Sequence, residues 1–440
     1  MKKLMLGFTM LFSLVLLVAC AGEGPTPTST PDPAPSTGED TNGEVGEVTP
    51  SVNNADFTGD FLIWIHEDPY AEALIPALEA EFPNVNFGWQ QMGHVEQLTN
   101  LSLDGPAGIG ADIILFPHDQ ITRAVGESLL LPLGPDLGGL VESRFQDSAT
   151  RSIVSDGNIF GFPINAEVVA LFYNVDLLNE HGFEVATTFE QIMEQGREFN
   201  DNANNRHILR WAPGDAYQSH FALTSHGFEL FGPDHLNGDA VNLETPEVVA
   251  GLQWMLDFRN EFLPVPYADL DWDNTHGAFV DGLVPYIIMG PWGINGVLED
   301  GDFDWGVSML PTIGGVRPTV FNGNVIAGIS SFTSQAPLAR AVLEFMSSDA
   351  GIQIAYDSMG WIPALNDASG IVGLAENPFH LGHIAQAAYS HAMPVIPEMN
   401  QFWGAAEALY RSVWDLVLTP EEAAAYAYEL FQNARALADQ

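Results

Sequence analysis

Apolar runs alternate with amphipathic stretches from about residue 57 onwards. Residues 61–65 form a continuous apolar run, which is typical of a strand buried on both faces. Leu74, Leu78 and Phe82 recur four residues apart and predict a helix over residues 69–82. A strand at 85–89, a helix at 95–103, a strand at 112–116 and a helix through Ala124 follow. This βαβαβ order predicts the start of a doubly wound α/β sheet.

Further strands and helix starts recur through the rest of the chain. Four more strands are predicted, at 168–173, 286–289, 305–309 and 325–329. Thr187 to Glu190 has the pattern of a capping box, and Thr-Pro-Glu at 245–247 and 419–421 places Thr before a helical proline. An Ala-rich amphipathic helix is predicted over 421–437. The folded part is too long for one hydrophobic core, so we expect more than one.

The N-terminus has the pattern of an export signal followed by a tether. Residues 1–19 combine Lys2 and Lys3 with an apolar run that ends at small residues, which favours a signal peptide over a spanning helix. The run ends Leu17-Val18-Ala19-Cys20, which resembles a bacterial lipobox and predicts lipidation of Cys20; an ordinary free cysteine is the alternative. Residues 20–56 are rich in Pro, Ser, Thr and acids and predict a flexible linker.

Composition excludes several classes of function. The 440-residue chain carries 58 acidic and 13 basic residues, a formal charge of −45, which argues against nucleic acid as a partner. The only lysines are Lys2 and Lys3, so neither a Schiff-base lysine nor a P-loop lysine is available in the folded part. A single cysteine excludes an internal disulfide and a multi-cysteine zinc site. The acidity is explained either by solubility or by adaptation to high salt or high pH.

Five short segments, in order, resemble the extracellular solute-binding proteins of ABC sugar importers. Within that group the chain is most similar to the maltose/maltodextrin-binding proteins, from about residue 59 to the C-terminus. The segments are residues 62–68, 111–119, 161–167 with 173–178, 289–292, and 393–397 with 402–403. The resemblance implies an α/β, two-lobe periplasmic-binding-protein-like fold whose cleft closes on a ligand. It also implies discontinuous lobes, one of residues 57–166 plus 323–369 and the other of residues 167–322 plus 370–440.

The same resemblance implies a set of ligand-binding residues. A sugar ring needs flat aromatic platforms for its C–H faces and carboxylates to accept hydrogen bonds from its hydroxyl groups. The expected ligand-binding residues are Asp68, Phe116, Asp119, Glu167, Asp215, Tyr217, Trp292 and Trp403. Weaker candidates are Glu96, Gln120, Trp272 and Met393. For Asp68 and Asp119, capping of the following helix is the alternative.

Three positions depart from the family pattern. Pro69 stands where the family has a lysine, and Gln120 and Glu407 stand where it has arginines. Donation to ligand oxygens is therefore expected from Gln120, His66, His118 or backbone amides. The preferred sugar or its affinity is expected to differ, or the loss follows the general scarcity of basic residues.

The resemblance implies a non-enzymatic, extracytoplasmic lipoprotein without cofactor or metal. Its expected partners are a maltodextrin-type oligosaccharide, the permease subunits of an ABC importer, and the membrane through Cys20, and the protein is expected to be a monomer. A binder of another oligosaccharide, disaccharide or polyol is the first alternative. A glycoside hydrolase with two acidic residues is the second. A metal-binding protein is a third, but the spacing of His220, His226 and His235 matches no compact ligand motif.

Overall fold

The structure is a computed structural model that describes residues 53–155 and 157–438. The predicted signal peptide, Cys20 and residues 20–52 of the predicted linker lie outside the described residues. Among the residues it does describe, no helix combines the length and apolar character needed to cross a bilayer.

Sixteen α-helices and thirteen strands are assigned in the described ranges. The helices are α1 (Asp68–Glu81), α2 (His94–Asp104), α3 (Ile121–Gly126), α4 (Gly134–Arg144), α5 (Asp147–Arg151), α6 (Val175–His181), α7 (Phe189–Phe199), α8 (Ala216–Thr224), α9 (Pro246–Phe262), α10 (Trp272–Val280), α11 (Ile294–Asp300), α12 (Ala336–Ser347), α13 (Asp349–Met359), α14 (Pro378–Ala387), α15 (Glu398–Trp414) and α16 (Pro420–Ala438). The strands are β1 (Gly59–Ile65), β2 (Val85–Gln91), β3 (Ile113–Pro117), β4 (Val154–Ser155), β5 (Asn158–Ile159), β6 (Phe162–Pro163), β7 (Ala170–Asn174), β8 (Leu209–Arg210), β9 (Tyr286–Met289), β10 (Trp305–Ser308), β11 (Val320–Asn322), β12 (Val325–Ile329) and β13 (Ser390–Ala392).

The first large sheet has five strands in the order β2-β1-β3-β12-β6. β1 pairs in parallel with β2 and β3, which confirms the predicted βαβαβ start. β12 returns from far along the chain and pairs antiparallel with β3 and β6. Ile63, Ile65 and Ile114 are fully buried, as continuous apolar runs in a covered sheet require.

The second large sheet has four strands in the order β10-β7-β9-β8. β7 lies between β10 and β9 and is antiparallel to both, whereas β8 and β9 are parallel. All four residues of β9 are buried. The two large sheets share no strand.

The buried apolar residues separate into one core cluster around the first sheet and two around the second. The first cluster draws on residues 61–164 and 325–374, and the second group of clusters on residues 168–321 and 393–431. We call the parts of the chain around them the first and second lobes. The chain passes between the lobes near Glu167, near Gly323 and again after Leu374. Ile371 and Leu374 belong to the first core, a few residues beyond the expected boundary at 369.

Two local details differ from the sequence prediction. Asn54–Asp56 forms a 3-10 helix at the end of the predicted linker, where Asn54 donates to Glu81 over 2.6 Å, so residues 54–56 pack on the first lobe. The capping box at α7 is shifted by one residue, because Thr188 caps the backbone of Gln191 and the side chain of Gln191 accepts from the backbone of Thr188.

Candidate ligand-binding site

Two crossing segments lie side by side where the chain passes between the lobes. The backbones of Glu167 and Gly323 exchange two hydrogen bonds of 2.8 Å each. The Tyr217 hydroxyl, from α8 of the second lobe, donates to the Glu167 carbonyl over 2.8 Å. These contacts fix Glu167 at the junction and bring Tyr217 against it.

A side-chain hydrogen bond joins the two lobes directly. Asp119 stands in a 3-10 turn after β3, and Trp403 stands on α15. The Trp403 indole Nε1 donates to Asp119 Oδ2 over 2.7 Å. Burial raises the pKa of Asp119, and the Trp403 hydrogen bond opposes that rise. The two expected ligand residues therefore hold each other across the junction.

A chain of aromatic rings extends from Trp403 into the second lobe. Its ring centroid lies 5.7 Å from that of Phe321, which lies 5.9 Å from that of Tyr217. Trp292 follows β9 and lies 6.1 Å from Tyr217. Trp403, Tyr217 and Trp292 are each only partly buried, so their rings keep accessible area. We call Asp119, Glu167, Tyr217, Trp292 and Trp403 the inter-lobe site.

Trp272, a weaker candidate, stands at the edge of the same region. Its exposed ring stacks on His276 at 5.1 Å with an interplanar angle of 4°. His276 Nε2 lies 3.2 Å from the Gly293 carbonyl, in the turn that carries Trp292. The side chain of His276 therefore connects Trp272 to the turn that carries Trp292.

Asp215 occupies the N-cap of α8. Its carboxylate accepts from the backbone N–H groups of Tyr217 over 2.8 Å and Gln218 over 3.1 Å. Burial raises the pKa of Asp215, and the two backbone hydrogen bonds oppose that rise. One oxygen is thus committed to the helix end, which also orients Tyr217.

A cationic side chain lies close to Glu407, although Glu407 itself stands where the family has an arginine. Arg411, one helical turn further along α15, lies 3.1 Å from Glu407. Its guanidinium also lies 4.5 Å from the centre of the Tyr267 ring and donates to the Tyr267 hydroxyl over 2.8 Å. The charge of Arg411 acts on Asp215, so it takes part in the electrostatics of this edge.

The His118 ring contacts the backbone carbonyl of Met393. His118 Nδ1 accepts from the Asn324 N–H over 3.0 Å, so its Nε2 is the protonated nitrogen, 3.4 Å from the Met393 carbonyl. Burial lowers the pKa of His118, which keeps this neutral form. The expectation that His118 donates to a ligand is therefore wrong in this conformation, because both ring nitrogens are engaged. Met393 is buried and contributes its carbonyl.

Phe116 requires a correction. Its side chain is fully buried in the first core, and its ring lies against the position of Gly328 on the neighbouring β12. A stacking platform needs an open ring face, so the structure assigns Phe116 to the core.

Asp68, Glu96 and Gln120 lie near the carboxyl ends of strands of the first sheet. In the described part of the chain, they make no direct hydrogen bond with the residues of the inter-lobe site. Asp68 begins α1 and is exposed, and Glu96 is exposed in the first turn of α2. Gln120 is buried, with its Nε2 3.4 Å from the Val95 carbonyl. Its Oε1 has no hydrogen-bond partner within the described ranges.

Sequence reasoning missed a pair of residues beside Glu167. β1 and β2 end next to each other, so the residues that follow them meet: His94 Nε2 lies 3.4 Å from Glu67 Oε2. Burial lowers the pKa of His94, but the ion pair with Glu67 and the charges of Glu167 and Glu96 raise it above its usual value overall. The signal available in the sequence was their place after parallel strands, the same signal that pointed to Asp119.

Glu167 is itself strongly perturbed. Burial raises the pKa of its carboxyl group to about 7, and the charge of Glu67 adds to that rise. The charge of His94 and the 2.8 Å hydrogen bond from Asn165 oppose the rise.

Among the described residues, no group of three or more His, Cys, Asp or Glu side chains is arranged to hold a metal ion.

The arrangement can bind a polar ligand that also has apolar faces. Carboxylates at Asp119 and Glu167 accept hydrogen bonds, and the rings of Tyr217, Trp292 and Trp403 supply flat surfaces. Two α/β lobes joined by crossing segments, with binding groups at the junction, define the class of two-lobe solute-binding proteins.

Comparison with known proteins agrees with that class. Residues 64–353 match the family described as bacterial extracellular solute-binding protein, and the chain belongs to this family. The chain is 25% identical to the galactooligosaccharide-binding protein of Bacillus subtilis over 342 residues, 76% of this chain and 80% of that one. It is 24% identical to the maltotriose-binding protein of Pyrococcus abyssi over 360 residues, 80% of this chain and 76% of that one.

Its fold is similar to the crystal structure of a cyclo/maltodextrin-binding protein complexed with maltotetraose. The TM-score is 0.70 at 25% sequence identity, over 85% of this chain and 97% of that chain. The family consists of binding proteins rather than enzymes, which overturns the hydrolase alternative, and its members act outside the cytoplasm.

Proposed function

We propose that this protein captures an oligosaccharide of α-linked glucose units, a maltodextrin, by closure of its lobes and delivers it to the permease of an ABC importer. The observation that carries the proposal is the inter-lobe site, where two carboxylates and three aromatic rings from both lobes meet at one junction. The relatives named for maltotriose and maltodextrin support the ligand class.

A galactooligosaccharide is the second candidate ligand. The relative of that name supports it, and so does the absence of lysine or arginine at positions 69, 120 and 407. Both ligands are chains of pyranose rings, so the inter-lobe site suits either.

Calorimetric titration and thermal unfolding with a sugar panel test the ligand. The panel holds glucose, maltose, maltotriose, a cyclodextrin, trehalose, cellobiose, xylobiose and a β-linked galactotriose. A ligand at about 100 times its dissociation constant should stabilise the fold by roughly 2.7 kcal/mol, a shift of a few degrees. A response to maltotriose but not galactotriose supports the maltodextrin proposal, and the reverse selects the second candidate.

Two variants test the site independently of the panel. Trp292→Ala and Trp403→Ala should each weaken binding of the responding sugar at least tenfold, because each removes a stacking surface. Wild-type affinity in both variants would remove these residues from the site. Trp254→Ala, on α9 in the second lobe, is the matched control for loss of an indole.

We further propose that Cys20 is lipidated and holds the protein at the outer face of the membrane as a monomer. Metabolic labelling with palmitate, with Cys20→Ser as the control, tests the anchor. Label on Cys20→Ser equal to that on the wild type would contradict it. Docking on the permease is tested by charge reversal of exposed acidic residues that are not ligand candidates, such as Glu72 on α1, which should weaken the complex. An unchanged complex would contradict the proposed docking.

A further inference from the structure

Glu67, His94 and Glu167 form a charged cluster beside the inter-lobe site. Glu67 and His94 follow neighbouring parallel strands of the first lobe, and Glu167 lies on the first crossing segment. The side chains of His94 and Glu67 are 14% and 17% exposed, so water screens their ion pair weakly. His94 interacts electrostatically with both Glu67 and Glu167.

The Glu167 carboxylate has a single hydrogen-bond donor from the described side chains, Asn165 Nδ2 at 2.8 Å. A carboxylate has about four acceptor positions, so most of its capacity stays open. Its backbone is held at both polar atoms by Gly323 and by the Tyr217 hydroxyl. The side chain is therefore fixed in place with unused acceptor capacity, as a ligand-binding carboxylate should be.

The titratable side chains that face the cluster are Glu67, Glu96, His66, Tyr70 and Tyr217. Glu67 and Glu96 face His94, and Tyr217 faces Glu167, while the rings of His66 and Trp361 pack on His94 at 5.5 and 6.3 Å. Tyr70 lies below, with its hydroxyl near Glu67. The charge of His94 opposes the rise in the pKa of Glu167.

We propose that His94 is a positioning residue of the binding site: its imidazolium offsets Glu67 and keeps Glu167 ionised near neutral pH, so that Glu167 accepts hydrogen bonds from ligand hydroxyl groups. The inference rests on the proposed function for the hydroxyl-bearing ligand. The effect of His94 on the ionisation of Glu167 is expected in the ligand-free protein as well.

The sign of the effect follows from the surroundings of Glu167. Burial raises its pKa to about 7, so the carboxyl group is protonated below that pH and ionised above it. Ligand affinity therefore rises with pH through this range. Without the His94 charge, burial and Glu67 act with less opposition, and the rise moves to higher pH.

The first experiment measures the Glu167 carboxyl directly in the ligand-free full chain. Carbon-13 glutamate labelling follows the side-chain carboxyl resonance against pH, and Glu167→Gln identifies it. We expect the Glu167 midpoint to move up by about one pH unit or more in His94→Gln. An unchanged midpoint overturns the inference. His94→Lys, which keeps a cation, should restore most of the wild-type midpoint.

The second experiment measures maltotriose affinity by calorimetry between pH 5.5 and 9. When only the ionised form binds, affinity falls about tenfold for each pH unit well below the midpoint. With a midpoint one unit higher, His94→Gln should bind about fivefold more weakly than wild type at pH 7 and nearly tenfold more weakly at pH 6, and should recover at higher pH. A loss that is equal at all pH values would mean packing alone and would overturn the inference. His181→Gln, on α6, is the control and should follow the wild-type profile.

The two proposals fail in different ways. If the wild type binds no sugar of the panel at any pH, the proposed function fails, while the carboxyl titration still decides the role of His94. If the wild type binds maltotriose with a pH profile that His94→Gln leaves unchanged, the role of His94 fails and the proposed function stands.

Discussion

Asp119 and Trp403 show how one hydrogen bond can couple two roles in a single site. The indole N–H satisfies one oxygen of a carboxylate that is 4% exposed, and the carboxylate orients the ring. A buried carboxylate left without a donor is costly, so each residue depends on the other. Because they belong to different lobes, the bond also favours the arrangement in which the lobes meet.

Trp403→Phe separates these two roles. Phenylalanine keeps a flat ring but removes the donor to Asp119, and a lost hydrogen bond to a charged group costs about 1.5–3 kcal/mol. We expect affinity for the responding sugar to fall roughly ten- to hundredfold, less than in Trp403→Ala. Calorimetry of Trp403→Phe, Asp119→Asn and the double variant measures the coupling between them. Strictly additive losses would show that the hydrogen bond has no role in binding.

In helix α14, polar side chains face the interior and apolar side chains face the solvent, the reverse of the usual arrangement. Its polar residues His380, His383 and Gln386 are buried, whereas Leu381 and Ile384 are 50% and 45% exposed. The inward side chains bond to backbone groups: His380 with Gly360 at 2.7 Å, and Gln386 with the Leu310 N–H at 2.8 Å. The helix is therefore held by specific hydrogen bonds as well as by apolar contacts such as those of Phe379.

The buried histidine of α14 predicts loss of stability in acid. Burial lowers the pKa of His383 to about 4, against about 6.5 for a histidine in an unfolded chain. The unfolded state therefore binds the proton more readily, so stability is complete above about pH 6.5 and falls as the pH decreases towards 4. His383 should contribute up to about 3 kcal/mol to that loss.

Urea unfolding at pH 7, 5.5 and 4.5 checks this. His383→Gln should reduce the difference in unfolding free energy between pH 7 and 4.5, even if it lowers stability at pH 7. The same pH dependence in wild type and His383→Gln would contradict the assignment.

Two helix starts offer a matched test of capping. Thr188 makes a reciprocal capping box with Gln191, whereas Thr245 before α9 makes no side-chain cap hydrogen bond. Thr188→Ala should therefore cost about 1 kcal/mol of stability, and Thr245→Ala only a few tenths. Urea unfolding at neutral pH measures both, and equal losses would contradict the geometry of the two caps.

The whole molecule carries a formal charge of −45, and its folded part is without lysine. Six arginines of the described residues form ion pairs with acidic residues, such as the exposed pair of Arg197 with Glu261, and exposed pairs stabilise little. Repulsion between acidic residues is then the larger long-range effect, and salt screens it within a few ångströms at high concentration.

Stability should therefore increase with ionic strength. We expect the midpoint of thermal unfolding to rise by several degrees between about 0.05 M and about 1 M NaCl, as the screening length shortens. Scanning calorimetry with NaCl and KCl in parallel measures the effect, and the two salts should agree. A midpoint that falls with salt would indicate that the ion pairs, rather than the repulsion, dominate.

The sequence by itself determined most of the longer strands. Apolar runs predicted β1, β3, β9 and β12 because a strand covered on both faces shows its burial in consecutive residues. Asp119 and Trp403 followed from short segments whose order resembles the family.

Only the tertiary structure decided which side chains face the junction. An aromatic ring at Phe116 and an imidazole at His118 would both suit a ligand site. In the fold, however, β12 covers Phe116 and the Met393 carbonyl engages His118, from about 200 to 280 residues further along the chain. His94 acquires its role only because β1 and β2 end together and the chain crosses between the lobes at Glu167. Local spacing sets which face of an element is apolar, whereas burial and electrostatic partners depend on distant elements that spacing does not specify.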